Sequence, residues 1–458
     1  MPVNETKGLS IFSTKKAESE PWLVEHAFLP PPEMEFYKGA SSVILYGEPG
    51  SGKTAITLIL ERYADLEPRR LVVRWKPSLK TPVEISTSLA YNQLLEILQA
   101  CAIKILEKSN LDRDAILQAG VSTQEFLGWF IDHFAPKRGT DEDYNKNRET
   151  SVFSSLRAKG YFAKDIDPIE VTIELTKSLE KIGYAGVWVM VDGIETPTNV
   201  QKQSTVNALN ALLSTLKFFE VPSFSFKMTL PIEFEKELAD TIATTRDRVM
   251  VFRLSWESKY LTAIIERRLA LATENTHLTM DDVYPSKQLI AWLEGCGGLS
   301  PRGWVEYLRP IIATFWELKS KNEARILTKK EWDAARSRSS LQLRFDEVSG
   351  QITIGMGRVK SLSREELAIF TYLHTNQGRF CSKRELYYKA YLPFTAPQNK
   401  IQGVIEQLTL PKEYDDLINT AIYRLRQTIE PIPSDPVFIT TKRDLGVKLS
   451  THALESSR

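Results

Sequence analysis

The chain has 458 residues, of which 42% are hydrophobic and 26% are charged, and its formal net charge is +1. These values are typical of a folded protein with about two to four domains. A net charge so close to zero excludes a field that would draw the whole molecule to nucleic acid or to a membrane. Any surface for a polyanion must therefore be local.

The three cysteines, Cys101, Cys296 and Cys381, are odd in number and lie far apart in the sequence. Without a Cys-x-x-Cys pair they favour neither a disulfide framework nor a zinc site. The first residues lack the basic and apolar stretches of a signal peptide. No run approaches the roughly 18 apolar residues of a membrane span. We therefore expect a cytoplasmic protein without a membrane segment.

Residues 1–40 are predicted to form an N-terminal arm, and the consecutive prolines Pro30, Pro31 and Pro32 cannot lie inside a helix. Residues 42–46 form an apolar run that predicts a buried strand. Residues 55–64 have the spacing of an amphipathic helix. The glycine-rich segment between these two elements is thus a loop that joins a strand to a helix.

That loop, from Gly47 to Thr54, fits the pattern G-x-x-x-x-G-K-[ST]. Backbone N–H groups of such a loop converge on phosphate oxygens, where a side chain would clash. The following helix directs the positive end of its dipole at the same anion. The pattern predicts a site for ATP, with GTP as the alternative, in which Lys53 reaches the β- and γ-phosphates and Thr54 binds Mg²⁺. The predicted nucleotide-binding residues are Gly47, Gly50, Ser51, Gly52, Lys53 and Thr54.

Four further apolar runs predict strands, at residues 71–75, 187–191, 224–230 and 249–254. Strands that alternate with helical segments predict an α/β fold, a three-layer core with a parallel sheet over residues 41–255.

Helical spacing at residues 89–106 and 169–182 predicts a helical insertion in that core, and the polar residues 137–149 are predicted to be a loop. Residues 256–338 have a helical pattern throughout and are predicted to form a helical lid.

A phosphate loop requires an acidic residue at the end of a neighbouring strand, where it orients Mg²⁺ and water. Asp192 directly follows the predicted strand at 187–191 and is the candidate. Glu195 lies three residues later. It either polarises the attacking water or is only a solvated loop residue.

The phosphate loop, the strand that ends at Asp192 and the helical segment after Trp256 together resemble an AAA+-type ATPase over about residues 41–335. The sequence from Asp192 to Glu195 departs from the adjacent Asp-Glu usual in that family. It is closer to the Asp-Gly-hydrophobic-acidic pattern of the signal-transduction ATPases with numerous domains, the STAND class. The resemblance implies ATP hydrolysis as well as ATP binding, with catalytic roles for Lys53, Asp192 and Glu195.

The same resemblance implies roles for residues outside the loop. Arg302, at the turn that opens a helix, matches the sensor-2 arginine that touches the γ-phosphate, and a surface arginine is the alternative. Thr229 matches the sensor-1 position. Arg246 and Arg248 match arginines that ring-forming relatives insert into a neighbour's site, and solvated loop arginines are the alternative.

Residues 339–458 resemble a winged helix of the response-regulator effector type. The segments that carry the resemblance are 362–366, 381–386, 422–427 and 438–443. The pattern predicts strands at 341–345 and 351–354, helices at 363–374, 382–391 and 413–430, and a hairpin at 437–449.

A winged helix of this type implies contact with double-stranded DNA, one helix in the major groove and the hairpin on the backbone or in the minor groove. Acidic residues on the same helix and a long insert at 392–412 depart from the family, so docking of a partner protein is the alternative. The candidate DNA-binding residues are Arg424, Arg426, Lys442 and Arg443.

These features predict an ATP-driven switch, in which bound nucleotide repositions the lid and the C-terminal domain and permits self-assembly and DNA engagement. One alternative is a nucleotide-gated scaffold whose C-terminal domain recruits a partner protein. Another is a protein that holds ATP as a structural cofactor and hardly hydrolyses it.

Overall fold

The chain passes between two structural units, at Leu29–Pro30 and again at Ser255–Trp256. Residues 30–255 form one of them, called here the sheet unit, and residues 1–29 with 256–458 form the second unit. The computed structural model describes residues 11–12, 17–19, 21–66, 68–77, 87–135, 141–156, 167–194, 198–272, 278–320, 325–358, 361–395 and 413–450.

The described part of residues 1–40, which are predicted to be an arm, includes an α-helix in each unit. Helix α1 (Pro21–Ala27) belongs to the second unit, and helix α2 (Met34–Lys38) opens the sheet unit. The prolines at 30–32 lie between the two helices and outside both, as expected of residues without a backbone N–H.

Five parallel strands form the sheet of the sheet unit, in the order β2-β3-β4-β1-β5. Every residue of β1 and β3 is buried, which is why their sequences are continuous apolar runs rather than alternating ones. All the predicted strands are present, and the predicted α/β fold with a parallel sheet is confirmed. The strands are β1 (Ser42–Gly47), β2 (Leu71–Arg74), β3 (Val187–Val191), β4 (Phe224–Pro231) and β5 (Val249–Arg253).

Because the strands are parallel, their carboxyl ends meet at one edge of the sheet. Leu45 of β1 is in register with Thr229 of β4, and Met228 of β4 with Val191 of β3. Strand β4 therefore lies between the strand before the phosphate loop and the strand before Asp192. Adjacent strands are about 4.8 Å apart, so the two loops leave the sheet about 10 Å from each other.

Helices cover this sheet, and several of them lie between β2 and β3, where the sequence predicts a helical insertion. The helix at 87–108 includes the predicted one at 89–106, and the helix at 168–181 matches the prediction at 169–182. The helices of the sheet unit after α2 are α3 (Lys53–Ala64), α4 (Thr87–Lys108), α5 (Arg113–Gln118), α6 (Val121–Phe134), α7 (Glu142–Thr150), α8 (Pro168–Lys181), α9 (Asn199–Ser214) and α10 (Phe234–Thr245).

The prediction of a loop at residues 137–149 is wrong for residues 142–149, which belong to helix α7. None of its residues is buried, so the apolar periodicity that identifies most helices is missing. The helix is stabilised at its start instead, where the Asp141 side chain accepts a hydrogen bond from the Tyr144 backbone N–H. The acidic first turn suits the helix dipole as well.

Helices also make up most of the second unit up to residue 337. Helix α11 binds the N-terminal segment, because Arg267 donates to the backbone oxygen of Phe28 and Arg268 to that of Ile11. Within the described residues, no helix of the protein is long and apolar enough to cross a bilayer. The helices are α11 (Ser258–Ala272), α12 (Met280–Val283), α13 (Ser286–Gly297), α14 (Pro301–Ser320) and α15 (Lys329–Ser337).

The C-terminal residues of the second unit contain every strand and helix predicted for them, with boundaries shifted by a few residues. Helix α17 continues through a π-helical turn into α18, and the rest of the predicted insert, 396–412, lies outside the described residues. The elements are β6 (Leu343–Asp346), β7 (Gln351–Ile354), β8 (Gly357–Arg358), α16 (Arg364–Thr375), α17 (Lys383–Leu386), α18 (Leu392–Thr395), α19 (Tyr414–Ile429), β9 (Ile439–Lys442) and β10 (Gly446–Leu449).

Close contacts join these C-terminal elements to the helices at 286–337. A Cβ on Gly295 of α13 would overlap the backbone of Pro431. Arg336 of α15 is 2% exposed and forms an ion pair of 2.8 Å with Asp435. A buried charge that is paired in this way resists separation, because an unpaired charge there would be costly. The helices and the C-terminal domain therefore hold together as one unit.

Two glycines near the start of β3 allow a matched test of the sheet. Gly186 has φ +144°, and a Cβ there would overlap the carbonyl group of Ser223, whereas Gly183 has φ +90° and no atom within 4 Å of its Cβ position. We expect Gly183→Ala to cost about 1 kcal/mol through backbone strain alone. Gly186→Ala should cost about 2–3 kcal/mol more, since overpacking adds to the strain. Melting temperatures of the two variants check this, and equal values would contradict it.

Candidate functional site

The loop after β1 has the backbone that its glycines predict. Gly50 has φ +80° and Gly52 has φ +97°, a region that other residues enter only with strain. A Cβ on Gly47 would lie 2.6 Å from the Ser51 Oγ. The loop thus needs glycine at positions 50 and 52, and a side chain at 47 would have to displace the Ser51 hydroxyl. Helix α3 begins directly after the loop, at Lys53.

The start of α3 is arranged to receive an anion. Gly52 is its N-cap and offers no side chain to the first N–H groups, which have no partner inside the helix. Within the loop, the N–H of Ser51 donates to the Glu48 oxygen at 3.1 Å, so this N–H closes the turn. The remaining N–H groups of the helix start and the helix dipole favour a phosphate at this end.

Lys53 lies across the loop that precedes it. Its Nζ donates to the backbone oxygens of Gly47 at 2.7 Å and of Glu48 at 3.0 Å. Thr54, the next residue, is half-buried in the first turn of α3. The ammonium and the hydroxyl are therefore both at the mouth of the loop.

Asp192 follows β3 and is held by its neighbouring strand. The Thr229 hydroxyl donates to Asp192 Oδ1 at 2.6 Å, with a longer contact of 3.3 Å to the Val191 oxygen. Asp192 is 9% exposed and Thr229 is 2% exposed. The hydrogen bond orients a carboxylate that burial would otherwise penalise.

Mg²⁺ fits the donor atoms at this edge of the sheet. The Thr54 hydroxyl and the Asp192 carboxylate supply oxygen ligands, which Mg²⁺ prefers. The carboxylate is nearly buried and pairs with a hydroxyl rather than with a lysine or arginine in the contacts described above, so a cation would compensate its charge. Bound there, the ion would neutralise charge on the phosphates.

Two residues that the sequence did not single out lie beside Asp192. The Tyr37 hydroxyl of α2 donates to the Met228 oxygen of β4 at 3.2 Å. Burial raises the pKa of Tyr37 well above its ordinary value, and the charges of Glu33 and Asp192 act in the same direction. Lys76, just after β2, donates to the Gly193 oxygen at 3.1 Å and so holds the backbone of the residue that follows Asp192.

The catalytic roles of Glu195 and Arg302 stay predictions. Glu195 lies outside the described residues. Arg302 is the second residue of α14, in the second unit, and is exposed. The turn before it is fixed by the Ser300 hydroxyl, which accepts a hydrogen bond from the Gly303 N–H at 3.0 Å.

The two arginines before β5 differ in their surroundings. Arg248 is paired with Glu220 at 2.7 Å. Arg246 is exposed and has no carboxylate partner among the described residues. Of the two, Arg246 is the one whose charge is open to another molecule.

The four candidate DNA-binding residues also differ in their surroundings in the structure. Arg426 donates to the Ile439 oxygen at 3.1 Å and to Thr441 Oγ1 at 2.6 Å, so it holds strand β9 against α19. Arg424 is 60% exposed, with 3.9 Å to the carboxylate of Glu365. Lys442 and Arg443 are exposed on the hairpin. The outward-facing basic residues are therefore Arg424, Lys442 and Arg443.

The turn of the C-terminal hairpin contains two residues with positive φ. Asp444 has φ +65°, in the left-handed region that aspartate enters more readily than most residues. Gly446 has φ +106°. The turn between β9 and β10 therefore depends on the residue types at these two positions.

Comparisons with known proteins give one kind of match. No protein-family model matches the chain, and no curated protein matches it. Among solved structures, the Aeropyrum pernix ORC2 protein in its ADPNP–ADP complexes is similar at 12% identity and a TM-score of 0.33, covering 99% of this chain and 91% of that one. Its ADP form is similar at 13% identity and a TM-score of 0.32, covering 96% and 90%. Both scores are low, and the site described above stands on its own geometry.

The hydrogen bond to Asp192 can be tested with a pair of variants. Thr229→Val keeps the shape of the side chain and removes the donor, so the carboxylate loses its orientation. We expect ATP turnover to fall about 10-fold or more, as when the residue that orients a metal ligand is lost, with little change in ATP affinity. Thr229→Ser keeps the hydroxyl and should retain most turnover. Equal rates for the two variants would show that the hydrogen bond does not matter.

Proposed function

We propose that this chain is an ATP-binding and ATP-hydrolysing switch of the AAA+/STAND type, in which the nucleotide state controls assembly and DNA engagement by a C-terminal winged helix. The observation that carries the proposal is the joint placement of the phosphate loop and the Asp192–Thr229 pair at the same edge of the sheet. Strand β4 lies between the two loops, and this supports the resemblance to AAA+ cores.

Each residue of the site has a definite task in this proposal. Backbone N–H groups of the loop and the start of α3 bind the phosphates, together with the Lys53 ammonium. Thr54 and Asp192 hold Mg²⁺, and Thr229 orients Asp192. Glu195 polarises the attacking water, Arg302 reads the γ-phosphate, and Arg246 acts on the site of a neighbouring copy in a homo-oligomer.

The unit that would respond to the nucleotide is well suited to a switch. The buried Arg336–Asp435 ion pair and the close approach of Gly295 to Pro431 join α15 and α13 to the C-terminal domain, and both helices pack against α14, which carries Arg302. A movement of α14 would therefore also move the C-terminal domain and its hairpin. Differential affinity for ATP in two positions of this unit supplies the free energy.

Nucleotide binding is tested with Lys53→Ala. The variant loses a charge-assisted contact to the phosphates, so we expect the affinity for fluorescent ATP with Mg²⁺ to fall at least about tenfold in an anisotropy titration. Lys104→Ala, which removes a half-buried lysine of α4 that is paired with Glu107, is the matched control and should bind like the wild type. If the wild-type protein shows no saturable binding up to about 1 mM ATP, the proposal is wrong.

DNA binding is tested by the salt dependence of binding to a labelled random duplex with ATP and Mg²⁺ present. Lys442→Ala and Arg443→Ala should each weaken binding and reduce the slope of log K against log salt by about 1. Lys330→Ala, an exposed lysine on α15, is the control for charge loss. If the slopes for Lys442→Ala and Arg443→Ala equal the wild-type slope, the hairpin does not contact DNA.

A specific feature of α19 favours the second candidate function, a nucleotide-gated scaffold that recruits a protein. The outward face of this helix has Tyr423 at 62% exposure and Leu417 at 38%. Lys383 is paired with Asp415 at 2.9 Å, so part of the local basic charge is already used. An aromatic residue among few free cations is typical of a protein interface. Absence of duplex binding at low salt would favour this candidate.

A further inference from the structure

The sheet unit ends in an edge strand. Strand β5 is last in the order, and among the described residues it pairs with β1 alone. Met250, Val251 and Phe252 are half-buried and Arg253 is exposed. An edge of this kind presents backbone N–H and C=O groups that another strand can pair with.

A cavity opens beside this edge, between β5 and helix α10. Its volume is about 570 Å³, which falls in the range of about 300–1,000 Å³ that is usual for ligand pockets. The wall is mostly apolar and includes Ile242 and Ala243 of α10 and Val249 and Val251 of β5. The edge strand and the cavity are thus one continuous feature.

The wall of the cavity includes a polar group that the described residues leave unused. Tyr46 of β1 lines the cavity and is 0% exposed, and its hydroxyl has no hydrogen-bond partner among the described residues. Burial raises the pKa of Tyr46, and the charge of Glu235 acts in the same direction, so the hydroxyl keeps its proton. A buried hydroxyl without a partner is unfavourable, because it has lost its hydrogen bonds to water. A ligand that reaches Tyr46 would recover this free energy.

The wall of the cavity has a positive charge that no carboxylate among the described residues neutralises. Arg246 also lines the cavity. Glu235, the acidic residue in the wall, is paired with Arg253 at 2.7 Å, and Arg248 nearby is paired with Glu220. Arg246 has no carboxylate partner among the described residues. The cavity therefore favours an apolar group with a carboxylate beside it.

We propose that the edge of β5 and this cavity bind an extended peptide segment of a partner protein, with an aliphatic side chain in the cavity and an acidic residue at Arg246. Backbone pairing with β5 supplies affinity, and the cavity supplies specificity, as in other cases of strand addition. The Tyr46 hydroxyl hydrogen-bonds to the backbone or side chain that enters. The proposal does not depend on nucleotide binding by this chain, and Arg246 is the residue that the cavity shares with the roles proposed above.

The test uses the full-length protein without nucleotide and three fluorescein-labelled peptides of about eight residues. One alternates Val and Glu, the second alternates Val and Lys, and the third is the Val-Glu peptide with N-methyl groups on every second residue. Anisotropy titrations should show saturable binding of the Val-Glu peptide. Affinity should be at least about tenfold lower for the Val-Lys peptide and for the N-methylated one, which cannot pair with β5.

Variants then locate the site. Arg246→Glu should reverse the preference between the Glu and Lys peptides, while Lys236→Glu, the same charge change on an exposed residue of α10 outside the cavity wall, should leave it unchanged. Ala243→Trp fills the cavity from α10 and should abolish binding, with the affinity for ATP unaffected. A melting temperature close to that of the wild type shows that each variant is folded.

Three results would overturn the proposal. The first is no saturable binding of the Val-Glu peptide up to about 1 mM. The second is undiminished binding by the N-methylated peptide, which would leave no role for the strand edge. The third is a concentration-dependent dimer in sedimentation that Ala243→Trp dissociates, because the occupant would then be a second copy of this chain.

Discussion

A hydrogen bond between neighbouring strands, from the Thr229 hydroxyl to Asp192, is the interaction on which the candidate site depends. A nearly buried carboxylate keeps one direction only when a donor is placed against it. Strand β4 can supply that donor because it lies between β1 and β3. The strand order therefore sets both the distance between the phosphate loop and the acid and the orientation of the acid.

Much of the sheet could be predicted from the sequence, for a physical reason. Strands β1 and β3 are covered on both faces, so nearly every residue in them is apolar and the runs stand out. The phosphate loop could be predicted because backbone geometry alone requires Gly50 and Gly52. Helix α7 could not, since it has no buried face, and its signal was confined to Asp141 and the acidic turn that follows.

The contents of the site are harder to predict than its location. Tyr37 and Met228 are 191 residues apart in the chain, and nothing local in either segment indicates that they meet. Arg424 and Arg426 are two residues apart and look equivalent in the sequence. Helical spacing turns them to different sides, so that one faces outward and the other bonds to β9. Only the packing of α19 against the hairpin distinguishes them.

The binding of the N-terminal segment to α11 has a consequence for shortened versions of the protein. Arg267 and Arg268 donate to backbone oxygens of Phe28 and Ile11, and Leu23 of the same N-terminal segment is buried. A truncation just before β1 would leave the phosphate motif complete but remove these acceptors and uncover apolar surface on α11. Such a chain would have an intact nucleotide loop, but its second unit would be less stable and would expose apolar surface. Aggregation of that fragment would then be misread as assembly.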